Sequence, residues 1–98
     1  MVKISESIKN RVKAGAAFLS VIRPGWVKDI DLKKLDLSNA NTCMIGELYG
    51  EYSPGIEKIG LDEYGDVPEQ MGFYAQSTRE YKVLTKAWKN FINKVRKQ

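Results

Sequence analysis

Ninety-eight residues with sixteen Lys or Arg and twelve Asp or Glu carry a net charge of +4, and a chain of this length holds one hydrophobic core, not two. The absence of histidine removes the commonest general acid/base and the commonest metal ligand. A single cysteine removes an internal disulfide and a multi-cysteine zinc cluster, which points to a reducing cytoplasmic setting in which packing alone supplies stability.

The charge is unevenly spread. Residues 1–23 carry five Lys or Arg against Glu6, residues 24–76 carry four Lys against ten acids, and residues 77–98 carry seven Lys or Arg against Glu80. Basic ends therefore flank an acidic centre. The longest nearly apolar run, Ala14 to Ile22, is nine residues long, against the roughly 20 that a membrane-spanning helix needs. Lys3, Lys9, Arg11 and Lys13 precede it in the order of a secretory signal, but Arg23-Pro24-Gly25-Trp26 stands where a small-residue cleavage site belongs. No export signal and no membrane contact are expected.

Ser5 is placed to cap a helix whose apolar positions Ile8, Val12, Ala16, Leu19 and Ile22 recur every three to four residues. Pro24 and Gly25 end it, and Trp26 is expected to fold back on it. From Val27 to Leu37 the residues Ile30, Leu32, Leu35 and Leu37 alternate only in part. A connector with one turn capped by Asp31 fits better than a lone strand, because no other β-branched run offers a partner. Ser38, Asn39 and Asn41 offer caps for a second helix running to Tyr49, with Gly50 at its end. Gly46 inside it would cost roughly 1 kcal/mol relative to Ala, so its expected use is close approach by a neighbouring backbone or ring.

Ser53-Pro54 reads as a cap followed by proline at the first helical position, with Gly60 closing a two-turn helix. Residues 62–76 read as an acidic loop with one turn near Pro68 to Met71, since Gly65, Pro68 and Gly72 interrupt any longer period. Ser77-Thr78-Arg79-Glu80 is a capping box. In the helix it opens, Tyr81, Leu84, Trp88, Phe91, Ile92 and Val95 form one apolar stripe opposite Lys82, Lys86, Lys89, Asn93 and Lys97. The expected fold is all-α: one compact domain over 1–98, with two longer terminal helices packed on short central ones.

The central run Cys43-Met44-Ile45-Gly46-Glu47-Leu48-Tyr49-Gly50-Glu51-Tyr52 is the least ordinary part of the chain. Together with Arg23-Pro24-Gly25-Trp26, Ile30-Asp31-Leu32, Leu35-Asp36-Leu37, Ile59-Gly60, Gly72-Phe73 and the Tyr81, Leu84, Trp88 spacing, it resembles a family of small proteins carried by tailed phages and prophages of Gram-positive bacteria. The resemblance covers about three quarters of the chain. The family pattern has Gln where this chain has Glu47. What the resemblance implies is a phage or mobile-element context, with no particular activity.

Cys43 beside small residues reads as a buried space-filler, because no histidine or nearby lysine lowers its pKa. Tyr49 and Tyr52 fit either a presented surface or packing over the terminal helices. Glu47 and Glu51 would form a like-charge pair if the helix continued through both. The functional expectation is binding, without catalysis, cofactor or metal. The candidate surface for a host protein is Glu47, Tyr49, Glu51, Tyr52, Glu63, Tyr64 and Asp66. The alternative is nucleic-acid binding by Arg79, Lys82, Lys86, Lys89 and Lys97 on the last helix. Exposed tyrosines also leave self-association open. Asp29 with Asp31, or Asp62 with Glu63, offer carboxylate pairs of a commonplace kind, and no phosphate-binding loop or cofactor glycine signature is present.

Overall fold

In the computed structural model, which describes residues 4–97, the chain forms five helices: α1 (Glu6–Ile22), α2 (Met44–Tyr49), α3 (Tyr52–Lys58), α4 (Asp66–Gln70) and α5 (Thr78–Arg96). A 3-10 turn at Trp26–Asp29 follows α1, and there is no strand among the described residues. The fold is all-α, with long terminal and short central helices, as the periodicity predicts. Among the described residues no helix is long and apolar enough to cross a membrane.

Both long helices start on a serine. Ser5 Oγ accepts the Ile8 N–H at 3.2 Å, and Ser77 Oγ accepts the Glu80 N–H at 3.1 Å, each satisfying a donor that the first turn leaves unpaired. The second half of the expected capping box is not made. The Glu80 carboxylate instead meets Arg11 of α1, Nη1 to Oε1 2.7 Å, and ties the start of α5 to the middle of α1. Further along, Ala16 and Ala17 share a groove with Phe91 and Val95, so the two helices run in the same sense.

Everything between them has to cross back. The connector after α1 lies along α5: the Leu37 N–H donates to Thr85 Oγ1 at 2.9 Å, and Arg96 Nη2 donates to the carbonyls of Val27 and Ile30 at 2.7 and 2.6 Å. Asp31 closes its turn as expected, its carboxylate accepting the Lys33 N–H at 2.9 Å and its carbonyl the Leu35 N–H at 3.0 Å. Trp26 does fold back, donating its indole N–H to Ser20 Oγ at 3.1 Å.

Trp88 on α5, fully buried, is the hub of the core. Phe73 stacks on it at 6.0 Å between centroids, while Trp26 and Phe91 meet it edge-on at 5.9 and 6.4 Å. Its indole N–H donates to the Gly72 carbonyl at 2.7 Å. One residue therefore joins the turn after α1, the exit of α4 and α5 itself. Around it pack Leu19, Met44, Ile45, Ile56, Leu84 and Ile92, all without exposed surface.

Two expected helix starts are corrected. The cap of α2 is Cys43, whose Sγ accepts the Gly46 N–H at 3.2 Å, while Asn39 Oδ1 closes the preceding turn by accepting the Asn41 N–H at 2.9 Å, and Asn41 Nδ2 reaches across to the Gly50 carbonyl at the far end of α2. Ser38 bonds back to Asp36. The cap of α3 is Glu51 and not Ser53. The Tyr52 N–H is already taken by the Ala40 carbonyl at 2.9 Å, which fixes the start of α3 two residues early and leaves Pro54 at the third helical position. That position has no intrahelical acceptor for its N–H, so proline costs nothing there.

Gly46 does what its place in a helix suggests: a Cβ there would collide with the backbone of Ala40 and Asn41. Gly60 closes α3, its N–H and that of Leu61 bonding back to Glu57 and Ile56, and the Gly72 and Phe73 amides do the same for α4 at Glu69 and Pro68. The turn expected near Pro68 to Met71 is thus α4, beginning two residues earlier at Asp66.

Candidate functional site

The central segment divides into two environments because α2 stops at Gly50 and the chain reverses into α3. Glu47 and Tyr49 belong to the first. Glu47 points at the connector, where Oε1 accepts the Asp31 N–H at 2.7 Å, while Oε2 is buried without a partner. Tyr49 lies beneath two cations, the Arg23 guanidinium 5.1 Å and the Lys58 ammonium 5.9 Å from its ring centroid. Arg23 also donates to the Leu48 carbonyl and reaches Asp29 at 3.3 Å. Tyr49 thus holds the ends of α1, α2 and α3 together, Glu47 ties α2 to the connector, and both side chains are half-buried. Since the helix breaks before Glu51, the expected like-charge pair of Glu47 and Glu51 on one helix face does not exist, and Glu51 is exposed on its own.

Burial pushes the Glu47 carboxyl above its ordinary value of 4.5, against the partly opposing Asp31 hydrogen bond. A carboxyl held more tightly protonated in the folded chain leaves stability unaffected below pH 4.5 and lowers it as pH rises through the folded value. Glu47→Gln keeps an acceptor for Asp31 and carries no charge. It is expected to raise the melting midpoint at pH 7, with the difference shrinking toward pH 4 in parallel thermal scans.

The second environment is a small cleft of about 110 Å³, lined by four of the five tyrosines, Tyr52, Tyr64, Tyr74 and Tyr81, with Phe73 and Cys43 behind them. Tyr52 donates its hydroxyl to the Glu63 carbonyl and thereby pins the acidic loop to α3. From Tyr81 on α5 the rings step outward, Tyr81 to Tyr74 at 6.5 Å and Tyr74 to Tyr64 at 5.5 Å, both edge-on. Burial raises the hydroxyl pKa of Tyr52 and Tyr81, so both are neutral proton donors at ordinary pH. Tyr64 at the outer end is 64% exposed, and Val67 beside it on α4 is 49% exposed. Asp62 and Asp66 are exposed around them, and Glu63 is half-buried.

Of the seven residues expected to form one surface, the structure therefore brings together Tyr52, Glu63, Tyr64 and Asp66. Tyr74 and Val67 complete that surface and were not legible as parts of it: Tyr74 follows Gly72-Phe73 in a stretch with no periodicity, and Val67 is an isolated apolar residue between acids.

Cys43 is 2% exposed, and burial raises its thiol pKa despite the Gly46 N–H directed at its sulfur. It is a helix cap in a sealed place. An aromatic disulfide reagent is expected to leave it unmodified in the native protein and to label one thiol per chain in denaturant; rapid native labelling would show that the cleft opens. Among the described residues, no group of three or more His, Cys, Asp or Glu is placed to hold a metal ion.

Of the five cations of the alternative surface, Arg79, Lys82, Lys86 and Lys89 lie within about 80° of arc on α5, and Lys97 is its C-cap. All are exposed except half-buried Lys89. Among the described residues none of them is in an ion pair. Asp36 of the connector lies close to Lys89, although the Ser38 hydrogen bonds are the larger cause of its lowered pKa.

Comparison with known protein families, curated proteins and solved structures gives no match.

Proposed function

We propose that this chain is a small interaction protein of phage or mobile-element type that binds a host protein through the loop carrying Tyr64. One observation carries this reading: a large aromatic ring stands mostly in solvent, fixed by the edge of Tyr74 and accompanied by an exposed Val67 within an acidic rim. A tyrosine so held loses little side-chain freedom on binding, which is why such residues anchor interfaces. The acids favour a partner with a basic surface. Glu47 and Tyr49, occupied with internal contacts, take no part, and binding needs no catalytic group.

A second reading has its own observation in the cation stripe of α5, which is in no ion pair among the described residues and matches a run of phosphates. The two readings separate in a tagged pull-down from a Gram-positive host lysate with and without nuclease. A protein retained after nuclease supports the Tyr64 surface. Recovery that disappears with nuclease, together with a fall in affinity of about 0.9 log units per log unit of salt for each duplex phosphate contacted, supports the stripe.

A further inference from the structure

The face of α1 and α5 turned away from α4 carries an apolar groove that none of the described residues fills. It consists of two depressions of about 340 and 450 Å³ that share Lys13 and Phe91. Its floor is Ala17, Val27, Phe91 and Val95, and its walls are lysines, Lys9 and Lys13 from α1 and Lys94 from α5. The one acid there, Glu6, is already near Lys9 at 3.8 Å. An apolar trough between basic walls is complementary to an apolar knob between acids. The same chain carries such a knob: Tyr64 and Val67, exposed among Asp62, Glu63 and Asp66.

We propose that the groove receives the 62–67 loop of a second copy of this chain. Burial of Tyr64 and Val67 against the floor supplies the apolar contact, and the lysines face the loop's carboxylates, fixing orientation. A single chain cannot satisfy itself this way. Gly15 of α1 faces Met71 at the exit of α4, whereas Lys13 and Ala17, two residues to either side, lie about 160° round the helix from it. Knob and groove therefore face apart, and copies join head to tail. The contact is heterologous: each added copy leaves one knob and one groove free, so growth continues past the dimer. So small a contact gives weak, salt-sensitive association. The inference shares the Tyr64 loop with the proposed host contact but not its target.

Sedimentation velocity of the whole chain tests it, across concentration at about 20 mM and about 500 mM salt, between which the screening length falls from roughly 20 Å to roughly 4 Å. The expected result is a weight-average mass that climbs past twice the 11.1 kDa of one chain at low salt and returns toward the monomer at high salt. Lys13→Glu with Lys94→Glu, and separately Tyr64→Ala with Val67→Ser, change exposed positions and should each leave a folded monomer. Mixed, the first variant supplies a working loop and the second a working groove, so the mixture should form a heterodimer and stop there. A wild-type chain that stays at 11.1 kDa at low salt, variants that still associate alone, or a mixture that grows beyond two chains would each overturn the proposal. A monomeric wild type that still captures host protein through Tyr64 would overturn this inference alone.

Discussion

Trp88→Ala is expected to cost the domain about 3 to 5 kcal/mol, a large part of the roughly 5 to 15 kcal/mol that holds a domain of this size folded. The indole is fully buried among Trp26, Phe73 and Phe91, and no single neighbour can move into its place without releasing another segment. The substitution also strands the Gly72 carbonyl, whose partner is the indole N–H, adding the penalty of an unsatisfied buried acceptor. A denaturant midpoint well below wild type, with the slope unchanged, is the expected outcome. Trp88→Phe should retain part of the stacking and lose the hydrogen bond, and so fall between the two. A melting shift of under a degree for Trp88→Ala would show that the core is not organised round this residue.

Gly15→Ala is the second large effect, and its sign is the informative part. In an exposed helix interior the change would stabilise by about 0.5 to 1 kcal/mol. Here the new Cβ would land on the Met71 carbonyl oxygen and within 3.0 Å of Trp88 Cζ2. The obstacle is backbone, so no rotamer change relieves it; either α1 moves away from α4 or the exit of α4 shifts and takes the Gly72 carbonyl from Trp88. Overpacking of this kind costs about 1 to 3 kcal/mol. The two substitutions act on one contact, and the double variant should lose less than the sum of the singles. A stabilised Gly15→Ala would mean that α1 and α4 are not in contact.

Where the chain repeats, it was readable. The stripes of α1 and α5, the Ser5 and Ser77 caps and the stop at Pro24 follow from periodicity and from the demands of helix ends, which are local. The Asp31 turn is local as well. The starts of α2 and α3 are not: Ala40, twelve residues back, claims the Tyr52 N–H, and Cys43, a thiol, caps α2 where an oxygen cap is the usual choice, beside a backbone that leaves no room for a side chain at Gly46. The same limit divides the site. Tyr64 and Asp66 were legible as polar-aromatic surface between glycines. Glu47 looked equivalent on composition, and only the approach of Asp31, sixteen residues away, turns it inward. Tyr52 combines both roles, half-buried by its ring and spent by its hydroxyl on Glu63.

The proposed function turns on the division between scaffold tyrosines and a presented one, and a comparison of Tyr64→Ala with the combined charge reversals Lys86→Glu and Lys89→Glu tests it most directly. Each tagged variant would be passed beside wild type through nuclease-treated host lysate, with its melting midpoint measured in the same preparation. Tyr64→Ala is expected to keep a near-native midpoint and to lose a protein that wild type and the lysine variant both retain. The same bound proteins on wild type and Tyr64→Ala, with loss confined to the lysine variant, would contradict the proposed function.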